Sequence, residues 1–354
     1  MRPLVAAPDG RSVDILDQAL LPHDEVWVRL EGLEDVARAI ATMQVRGAPL
    51  IGITAAYGVA LAMRADASDD ALAAAITLLG ATRPTAINLG WALRRMAEVL
   101  SGAPASRRAD LAHAEAGRIA EEEAAACRAI GDHGLVVLEA LWSGQRSRRL
   151  QVMTHCNAGW LATLEYGTAL APVYRAFEEG IPVHVWVSET RPRNQGWLTA
   201  WELGRRDVPH TVIADNAAGH LLQRGEVDVV LVGTDRTTRA GDVANKVGTL
   251  LKALAARESG TPFYAAVPSS SIDWDVLDWR QIPIEARSAA EVHTLTGRDG
   301  EGRIGSIRLG PATSTVFNPA FDVTPAALVT GLITERGVCA ASAAELAALF
   351  PERQ

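Results

Sequence analysis

The sequence predicts an α/β protein: a mainly helical N-terminal domain with a small β element, followed by a domain built on a mostly parallel sheet. Up to residue 142, apolar positions recur mostly at helical spacing. From residue 150, short β-branched runs alternate with segments of helical composition, which is typical of a doubly wound sheet covered by helices. A length of 354 residues favours two domains. The polar stretch 143–149 places the boundary, giving domains 1–145 and 146–354.

The elements of the first domain follow from local patterns. The β element lies within 11–30, and a short helix is expected over 32–43. A strongly apolar helix is expected over 49–64, with Pro49 suited to its first turn. Further helices are predicted over 70–81, 87–100 and 106–142, the last because no proline interrupts it.

The second domain is predicted to alternate strands and helices. Strands are expected within 150–154, 181–189, 210–215, 227–235 and 261–268. Helices are expected over 158–179, 195–206, 217–224 and 242–259. Five such strands in one parallel sheet would bring their carboxyl ends to a single edge.

Composition excludes several classes of function. A formal net charge of -8 argues against a broad basic face for nucleic acid. The apolar stretch 48–63 is shorter than a membrane span and contains glycines, and the N-terminus is too polar for a signal peptide. Three cysteines without a CxxC pair indicate reduced thiols. A cytoplasmic protein is therefore expected, with no membrane partner.

The sequence lacks the usual signatures of a bound cofactor. It contains no GxxxxGK[ST] motif, no GxGxxG after a strand, no HExxH and no cysteine cluster suited to zinc. We therefore expect neither a cofactor nor a metal.

Every predicted strand of the second domain ends in polar residues. These are 154–157, 188–196, 215–216, 233–248 and 269–271, in chain order. Ligands of open parallel sheets bind at the shared carboxyl edge. We therefore expect six side chains to converge there: Cys156, Arg191, Gln195, Asp215, Asp235 and Lys246.

Cys156 is a candidate for chemistry, although a cysteine in isolation is more often inert packing. Its place at a strand's carboxyl end, beside an expected helix N-terminus whose field stabilises a thiolate, favours a functional role. Cys127 and Cys339 are expected to be inert. His155 should face away from Cys156 along an extended chain, so it is expected to pack rather than to form a dyad.

Two aspartates follow strands, where aspartate commonly caps the next helix. For Asp215, capping and chemistry are equally favoured. Asp235 lies within "GTDR" and precedes a long polar loop, which favours catalysis.

Two loops of the first domain resemble anion sites. Arg46 and Gly47 directly precede the helix that starts near Pro49, and Arg83 has a similar place before another helix. Exposed helix N–H groups, a flexible glycine and an arginine suit a phosphate. A single arginine is usually a surface charge, but two such loops plus Lys246 suggest a phosphate held between the domains.

Six motifs, taken together, resemble the methylthioribose-1-phosphate isomerase family. They are "VRGAPLIG", "TRPTAINL", "THCNAG", "ETRPRNQG", "GTDRTTRAGDVANKVGT" and "FNPAFDVTP", in this order between about residues 40 and 340. The resemblance implies a helical domain on a Rossmann-like domain, usually in a homodimer. It also implies isomerisation of the aldose 5-methylthioribose 1-phosphate to the ketose 5-methylthioribulose 1-phosphate in methionine salvage. This is the chemistry of an intramolecular oxidoreductase, and 5-deoxyribose 1-phosphate is a further candidate substrate.

The same resemblance implies roles for individual residues. Cys156 and Asp235 would be catalytic. The implied substrate contacts are Arg46, Gly47, Ala48, Arg83, Gln195, Asn245 and Lys246.

The same superfamily offers two alternatives. One is the ribose-1,5-bisphosphate isomerases, and the other is the regulatory subunits of the eukaryotic translation initiation exchange factor, which are binding proteins. The presence of both Cys156 and Asp235 favours an enzyme. Trp160 and the stretch "ADNAAGHL", 214–221, depart from the usual family pattern and are expected to reshape the pocket near the sugar's 5-substituent.

The substrate's blocked anomeric oxygen dictates the chemistry. The C1–ring oxygen bond must break with the phosphate in place, so the ring oxygen needs a proton, which a protonated Asp235 would supply. Hydrogen then moves from C2 to C1. The sequence leaves two routes open: proton transfer through an enediolate with Cys156 as base, or a hydride shift with Cys156 stabilising charge.

Overall fold

The computed structural model describes residues 2–144 and 148–353. The expected domain boundary at 145/146 lies outside the described residues. The first half contains β1 (Leu4–Ala6), β2 (Val13–Leu16), β3 (Trp27–Leu30), α1 (Leu33–Ala41), α2 (Ala48–Ala65), α3 (Asp69–Thr82), α4 (Ile87–Ser101) and α5 (Ala105–Ser143). The elements that follow up to residue 260 are β4 (Leu150–His155), α6 (Leu170–Glu178), β5 (Val183–Ser188), α7 (Gln195–Gly204), β6 (His210–Ile213), α8 (Ala217–Gln223), β7 (Val229–Val232), β8 (Arg236–Thr238), β9 (Val243–Lys246) and α9 (Thr249–Ser259).

The remaining elements complete the chain. They are β10 (Phe263–Ala266), β11 (Ile272–Asp273), α10 (Ala289–His293), β12 (Thr294–Arg298), β13 (Ile304–Arg308), β14 (Phe321–Thr324), β15 (Gly331–Thr334), β16 (Gly337–Cys339) and α11 (Ala343–Leu349).

The first half confirms the predicted order of elements, except that β1 lies before the predicted β element of 11–30. β1, β2 and β3 form an antiparallel meander, and α1 to α5 follow. α2 packs against α4 and α5 and is buried along almost its whole length, which explains why it is apolar on all sides. By length and composition α2 could also cross a membrane, but 89% of its 18 residues are buried within the protein, as in a core helix.

The second half is organised by a seven-stranded sheet in the order β16-β15-β10-β7-β4-β5-β6. Its strands are parallel except β16, which confirms the predicted mostly parallel sheet. The strand order runs outward from β4 to β6 on one side and from β7 to β15 on the other. β4 and β7 therefore flank the topological switch point, where a crevice opens at the carboxyl ends.

Two predicted helices are partly wrong. Within 158–179, only a short 3₁₀ turn (Trp160–Ala162) and then α6 are helical, because the N–H groups of Trp160 and Leu161 donate to the buried Glu202 carboxylate. Within 242–259, the first residues form β9, and the helix starts only at Thr249, after Gly248 takes a φ of +102°.

A second sheet was absent from the sequence prediction. It has four short strands in the order β11-β8-β9-β14, and β14 pairs with β9 across more than seventy residues of chain. β12 and β13 form a separate hairpin. Strands of two to five residues carry too little alternation to be recognised without their partners.

Candidate active site

One cavity lies at the switch point and is walled by both halves of the chain. All nine residues named as catalytic or substrate-binding line it: Arg46, Gly47, Ala48, Arg83, Cys156, Gln195, Asp235, Asn245 and Lys246. Cys156 directly follows β4, and Asp235 lies three residues beyond β7. The two candidate catalytic residues therefore stand at the ends of the two strands that flank the crevice.

The backbone at Cys156 turns sharply away from the strand. Its φ is +69°, in the left-handed region that residues other than glycine rarely adopt. The hydroxyl of Thr199 donates to the Cys156 carbonyl at 2.7 Å and helps to fix this turn. The helix that was expected directly after Cys156 is absent, because α6 starts only at Leu170, so the expected stabilisation of the thiolate by the field of that helix is wrong.

Burial raises the pKa of the Cys156 thiol to about 11, although the charges of Lys246 and Arg46 act in the opposite direction. The loss of hydration of a thiolate outweighs these two cations. With this pKa the cysteine is a neutral thiol at pH 7. This overturns the expectation of a stabilised thiolate.

The turn that contains Cys156 is stabilised by Glu202, a residue of α7 whose carboxylate is fully buried. Glu202 accepts hydrogen bonds from the N–H groups of Trp160 (3.1 Å) and Leu161 (2.7 Å) and from the Asn157 side chain (3.2 Å). Burial raises the pKa of Glu202 to about 7 despite these donors. The loop after β4 is thus held by tertiary contacts rather than by a helix.

Burial also raises the pKa of Asp235, from 3.8 to about 6, although Lys246 and Arg83 lower it. The carboxyl is partly exposed, and it lines the cavity. The Asp235 N–H donates to the Ala244 carbonyl at 3.0 Å, which fixes the residue against β9. An aspartic acid with this pKa retains a protonated fraction near neutral pH and suits a proton donor.

Arg46 is a buried arginine whose charge is not matched. Its guanidinium donates once, to the Gln18 carbonyl at 3.1 Å, and its Nε and Nη1 are buried without a partner. Burial and the neighbouring charge of Arg193 lower its pKa to about 10, so it stays charged at pH 7. Among residues 2–144 and 148–353, no carboxylate forms an ion pair with Arg46, so the site can accept an anion.

Gly47 brings the start of α2 to the cavity wall. Its φ is +95°, and an added Cβ would lie 2.4 Å from the Cα of Ala162, so only glycine fits. No side chain caps α2, whose first residue is Ala48. The uncapped N–H groups at this helix start complement Arg46 as an anion site.

The other candidate contacts are positioned by neighbouring side chains or carbonyls. Arg83 pairs with Glu285 at 2.9 Å, while its Nε is buried without a partner. Lys246 Nζ donates to the Ala320 carbonyl at 3.1 Å. The Asn245 amide donates to Thr249 at 3.2 Å, and the Thr190 hydroxyl donates to Gln195.

Two of the six side chains expected to converge lie elsewhere. Arg191 donates to the Val292 carbonyl at 3.0 Å, and Asp215 accepts from the Arg191 N–H at 3.0 Å. Neither lines the cavity. Asp215 thus holds the loop after β5 and does not cap α8, whose start has no side-chain cap.

The serines that follow the fifth predicted strand also lie away from the cavity. Ser270 and Ser271 hydrogen-bond to the Asn88 side chain at 2.9 and 3.1 Å, joining the two halves. His155 packs as expected: it is fully buried, with Nε2 3.0 Å from the Val247 carbonyl and Nδ1 3.3 Å from the Ser188 hydroxyl.

Sequence reasoning missed three arginines that line the cavity: Arg193, Arg236 and Arg287. Arg193 stands two residues after Arg191 in "ETRPRNQG", and nothing in the motif indicates which of the two arginines faces the cavity. Arg236 donates to the Thr85 carbonyl at 2.7 Å and so ties the Arg83 loop to the sheet. Arg287 lies in a stretch without a recognised pattern.

Within residues 2–144 and 148–353, no group of three or more histidine, cysteine, aspartate or glutamate side chains is placed to hold a metal ion.

Comparison with known proteins identifies the chain's family. Residues 44–341 match the model of the initiation factor 2 subunit family. Methylthioribose-1-phosphate isomerase from Acidiphilium cryptum is 61% identical over 98% of this chain and 94% of the relative. The enzyme of the same name from Methylorubrum populi is 60% identical over 98% and 95%. The chain belongs to the methylthioribose-1-phosphate isomerase family.

Solved structures agree with this assignment. The 5-methylthioribose 1-phosphate isomerase from Pyrococcus horikoshii OT3 matches with a TM-score of 0.84 and 38% identity, over 99% of this chain and 96% of that one. The delta subunit of translation initiation factor eIF-2B from A. fulgidus matches with a TM-score of 0.81 and 35% identity, over 99% of both chains. The methylthioribose-1-phosphate isomerase fold is therefore shared with proteins named as initiation factors.

The two departures from the family pattern do not reach the cavity. Trp160 is buried beneath the Cys156 loop, with its ring centroid 5.7 Å from that of Trp201. Neither Trp160 nor any residue of 214–221 lines the cavity. The expectation that they reshape the pocket directly is wrong. The cavity of this methylthioribose-1-phosphate isomerase family member has its apolar lining instead from Met43, Ile51, Ala162, Ile282, Pro283 and Phe321.

Proposed function

We propose that this chain converts 5-methylthioribose 1-phosphate to 5-methylthioribulose 1-phosphate, an aldose–ketose isomerisation in methionine salvage. The observation that carries the proposal is the meeting of Cys156, Asp235 and the unmatched Arg46 in one cavity at the switch point. Relatives at about 60% identity bear the name of this activity. The apolar part of the cavity suits a methylthio group.

Asp235 acts first, as the acid that opens the ring. Its carboxyl gives a proton to the ring oxygen while the C1–ring oxygen bond breaks, which leaves positive charge shared between C1 and the phosphate-bearing oxygen. The raised pKa of about 6 keeps part of the population protonated near neutral pH. The resulting Asp235 carboxylate then faces the electron-deficient carbon.

Cys156 takes part as a neutral thiol. Because burial raises its pKa to about 11, almost none of the cysteine is thiolate at pH 7, and removal of the C2 proton by a thiolate is disfavoured. The hydrogen therefore moves from C2 to C1 with its electron pair. The C2 hydroxyl then returns its proton to the Asp235 carboxylate, which forms the ketone and restores the acid. Cys156 covers the migrating hydrogen and excludes water.

The remaining contacts bind and orient the sugar phosphate. Arg46 and the N–H groups of Gly47 and Ala48 hold the phosphate, whose binding energy fixes C1 and C2 in place. Arg83, Gln195, Asn245 and Lys246 complete the substrate contacts. Lys246 lies near both catalytic residues, since its charge lowers the pKa of each.

A coupled assay tests the proposal. Purified protein is offered 5-methylthioribose 1-phosphate, 5-deoxyribose 1-phosphate and ribose 1,5-bisphosphate in parallel, and kcat/KM is expected to be highest for the first. Preference for the bisphosphate would make the chain a ribose-1,5-bisphosphate isomerase. Turnover of none of the three would support a regulatory, subunit-like binding protein.

We also propose the setting in which the enzyme works. It is a cytoplasmic homodimer whose partners are small sugar phosphates rather than nucleic acid or membrane, with domains 1–145 and 146–354. The net charge of -8 supports the absence of a nucleic-acid partner, and the burial of α2 supports the absence of a membrane partner. Light scattering on the purified chain measures its mass in solution, and a monomer would contradict the dimer.

A further inference from the structure

Arg193 stands in a wall between two cavities. It lies on the loop between β5 and α7 and lines the active-site cavity. It also lines a second, more open cavity together with Arg46, Trp197 and Leu295. Arg46 and Arg193 are close enough that the charge of Arg193 lowers the pKa of Arg46. The pair therefore separates the reaction site from the outer cavity.

Arg193 lies in a cluster of arginine side chains. Four guanidinium groups, those of Arg46, Arg83, Arg193 and Arg287, lie together. Two carboxylates pair with them: Glu285 with Arg83 and Arg287, and Glu291 with Arg287 and Arg193. Within this cluster four guanidinium groups face two paired carboxylates, while Asp17, Glu189 and Asp235 act on Arg46 or Arg83 without pairing with them. A phosphate monoester would bring negative charge directly to the arginines.

Arg193 is the less tightly paired partner of Glu291. Its Nη1 lies 3.3 Å from a Glu291 oxygen, while Arg287 approaches the same carboxylate to 2.5 Å. The Nε of Arg193 is buried without a partner, as are Nε and Nη1 of Arg46. Buried donors without acceptors are costly, so these N–H groups favour a ligand that brings oxygen atoms.

We propose that Arg193 is a direct phosphate ligand and binds the phosphate group of the substrate together with Arg46. This assignment rests on the proposed function and adds a residue to it. Glu291 positions Arg193, and the phosphate oxygens would accept from the Nε that has no partner. A planar guanidinium suits this task, because it offers paired donors to a phosphate.

The test compares Arg193→Gln with Arg191→Gln. Arg191 lies on the same loop and also has a buried Nη1 without a partner, but it does not line the cavity. Arg193→Gln should raise KM for 5-methylthioribose 1-phosphate and Ki for inorganic phosphate by roughly tenfold or more, the size of one charge-assisted hydrogen bond, with kcat changed little. Arg193→Lys should recover part of the loss, and Arg191→Gln should leave both constants unchanged.

Several results would overturn the assignment. One is an unchanged KM and Ki in Arg193→Gln, and another is an equal loss in Arg191→Gln, which would show a loop effect. If the wild-type protein turns over no sugar phosphate, the proposed function fails while the assignment is still tested. Calorimetric titration of inorganic phosphate into wild type and Arg193→Gln then decides it, since equal affinities exclude Arg193 as a phosphate ligand.

Discussion

Asp235→Asn should remove turnover and at the same time stabilise the ligand-free protein. Asparagine keeps the shape of the side chain but cannot donate the proton that opens the ring. General acid catalysis is typically worth ~10²–10⁴-fold in rate, so we expect kcat to fall by at least this factor with KM changed little. Stability should move the other way, because the pKa of this carboxyl is raised by burial.

The size of the stability gain follows from the pKa. A rise from 3.8 to about 6 corresponds to about 3 kcal/mol at about 1.4 kcal/mol per pKa unit. Since the carboxyl is partly exposed, we expect roughly 1–2 kcal/mol. A raised pKa means that the folded state favours the protonated carboxyl, so ionising Asp235 lowers the free energy of unfolding. This loss of stability is absent below about pH 3.8, grows as the pH rises, and is complete above about pH 6.

Urea unfolding of both proteins between pH 4.5 and 8 measures this difference, and a steady-state assay gives kcat. Asp215→Asn is the matched control, because Asp215 follows a neighbouring strand but does not line the cavity. It should keep kcat and gain no stability, since an amide oxygen can still accept from the Arg191 N–H while the attraction of the carboxylate for Lys252 is lost. The reasoning is refuted if Asp235→Asn keeps a near-normal kcat, or if it is less stable than wild type at pH 8.

Three further predictions concern the other groups of the site. Arg46→Ala should weaken substrate binding by roughly 1.5–3 kcal/mol. The effect should exceed that of Arg83→Ala, because Arg46 has no carboxylate partner while Arg83 is paired with Glu285, and the KM values of the two variants measure the difference. Iodoacetamide should alkylate Cys156 slowly at pH 7, and the rate should rise about tenfold per pH unit up to pH 9.5, as a pKa of about 11 requires. Substrate should protect Cys156 from alkylation, and a rate independent of pH would contradict the neutral thiol. Substrate deuterated at C2 should yield product that keeps its deuterium at C1 by proton-decoupled NMR, and wash-out into water would instead support an enediolate with Cys156 as base.

Much of the fold could be predicted because its elements are encoded locally. α5 is an example: a long stretch without proline, with apolar positions at helical spacing, forms one helix over Ala105–Ser143. β9 shows the limit. Its four residues are separated from α9 by two residues, and the sequence pattern predicts them as part of that helix. A strand this short is stabilised by its partners β8 and β14 rather than by its own pattern.

The site itself could be predicted in part for a similar reason. Polar residues at the carboxyl ends of parallel strands must share one edge of the sheet. The sequence alone therefore predicts that Cys156, Asp235 and Lys246 lie close together. The same rule wrongly included Arg191 and missed Arg193. Which way a loop residue points depends on contacts from distant segments, here the Val292 carbonyl for Arg191 and Glu291 for Arg193.

The sequence by itself determined the order of most elements, the parallel sheet and most of the groups at its carboxyl edge, because backbone geometry converts residue spacing directly into these features. Only the tertiary structure decided the protonation of those groups. The sequence favoured a thiolate at Cys156 next to the start of a following helix, yet that helix starts only at Leu170, and loss of hydration and the nearby Asp235 raise the pKa of the thiol. A pKa depends on burial and on charges across space, and segments as far apart as Arg46 and Lys246 contribute to it, so no local pattern contains it.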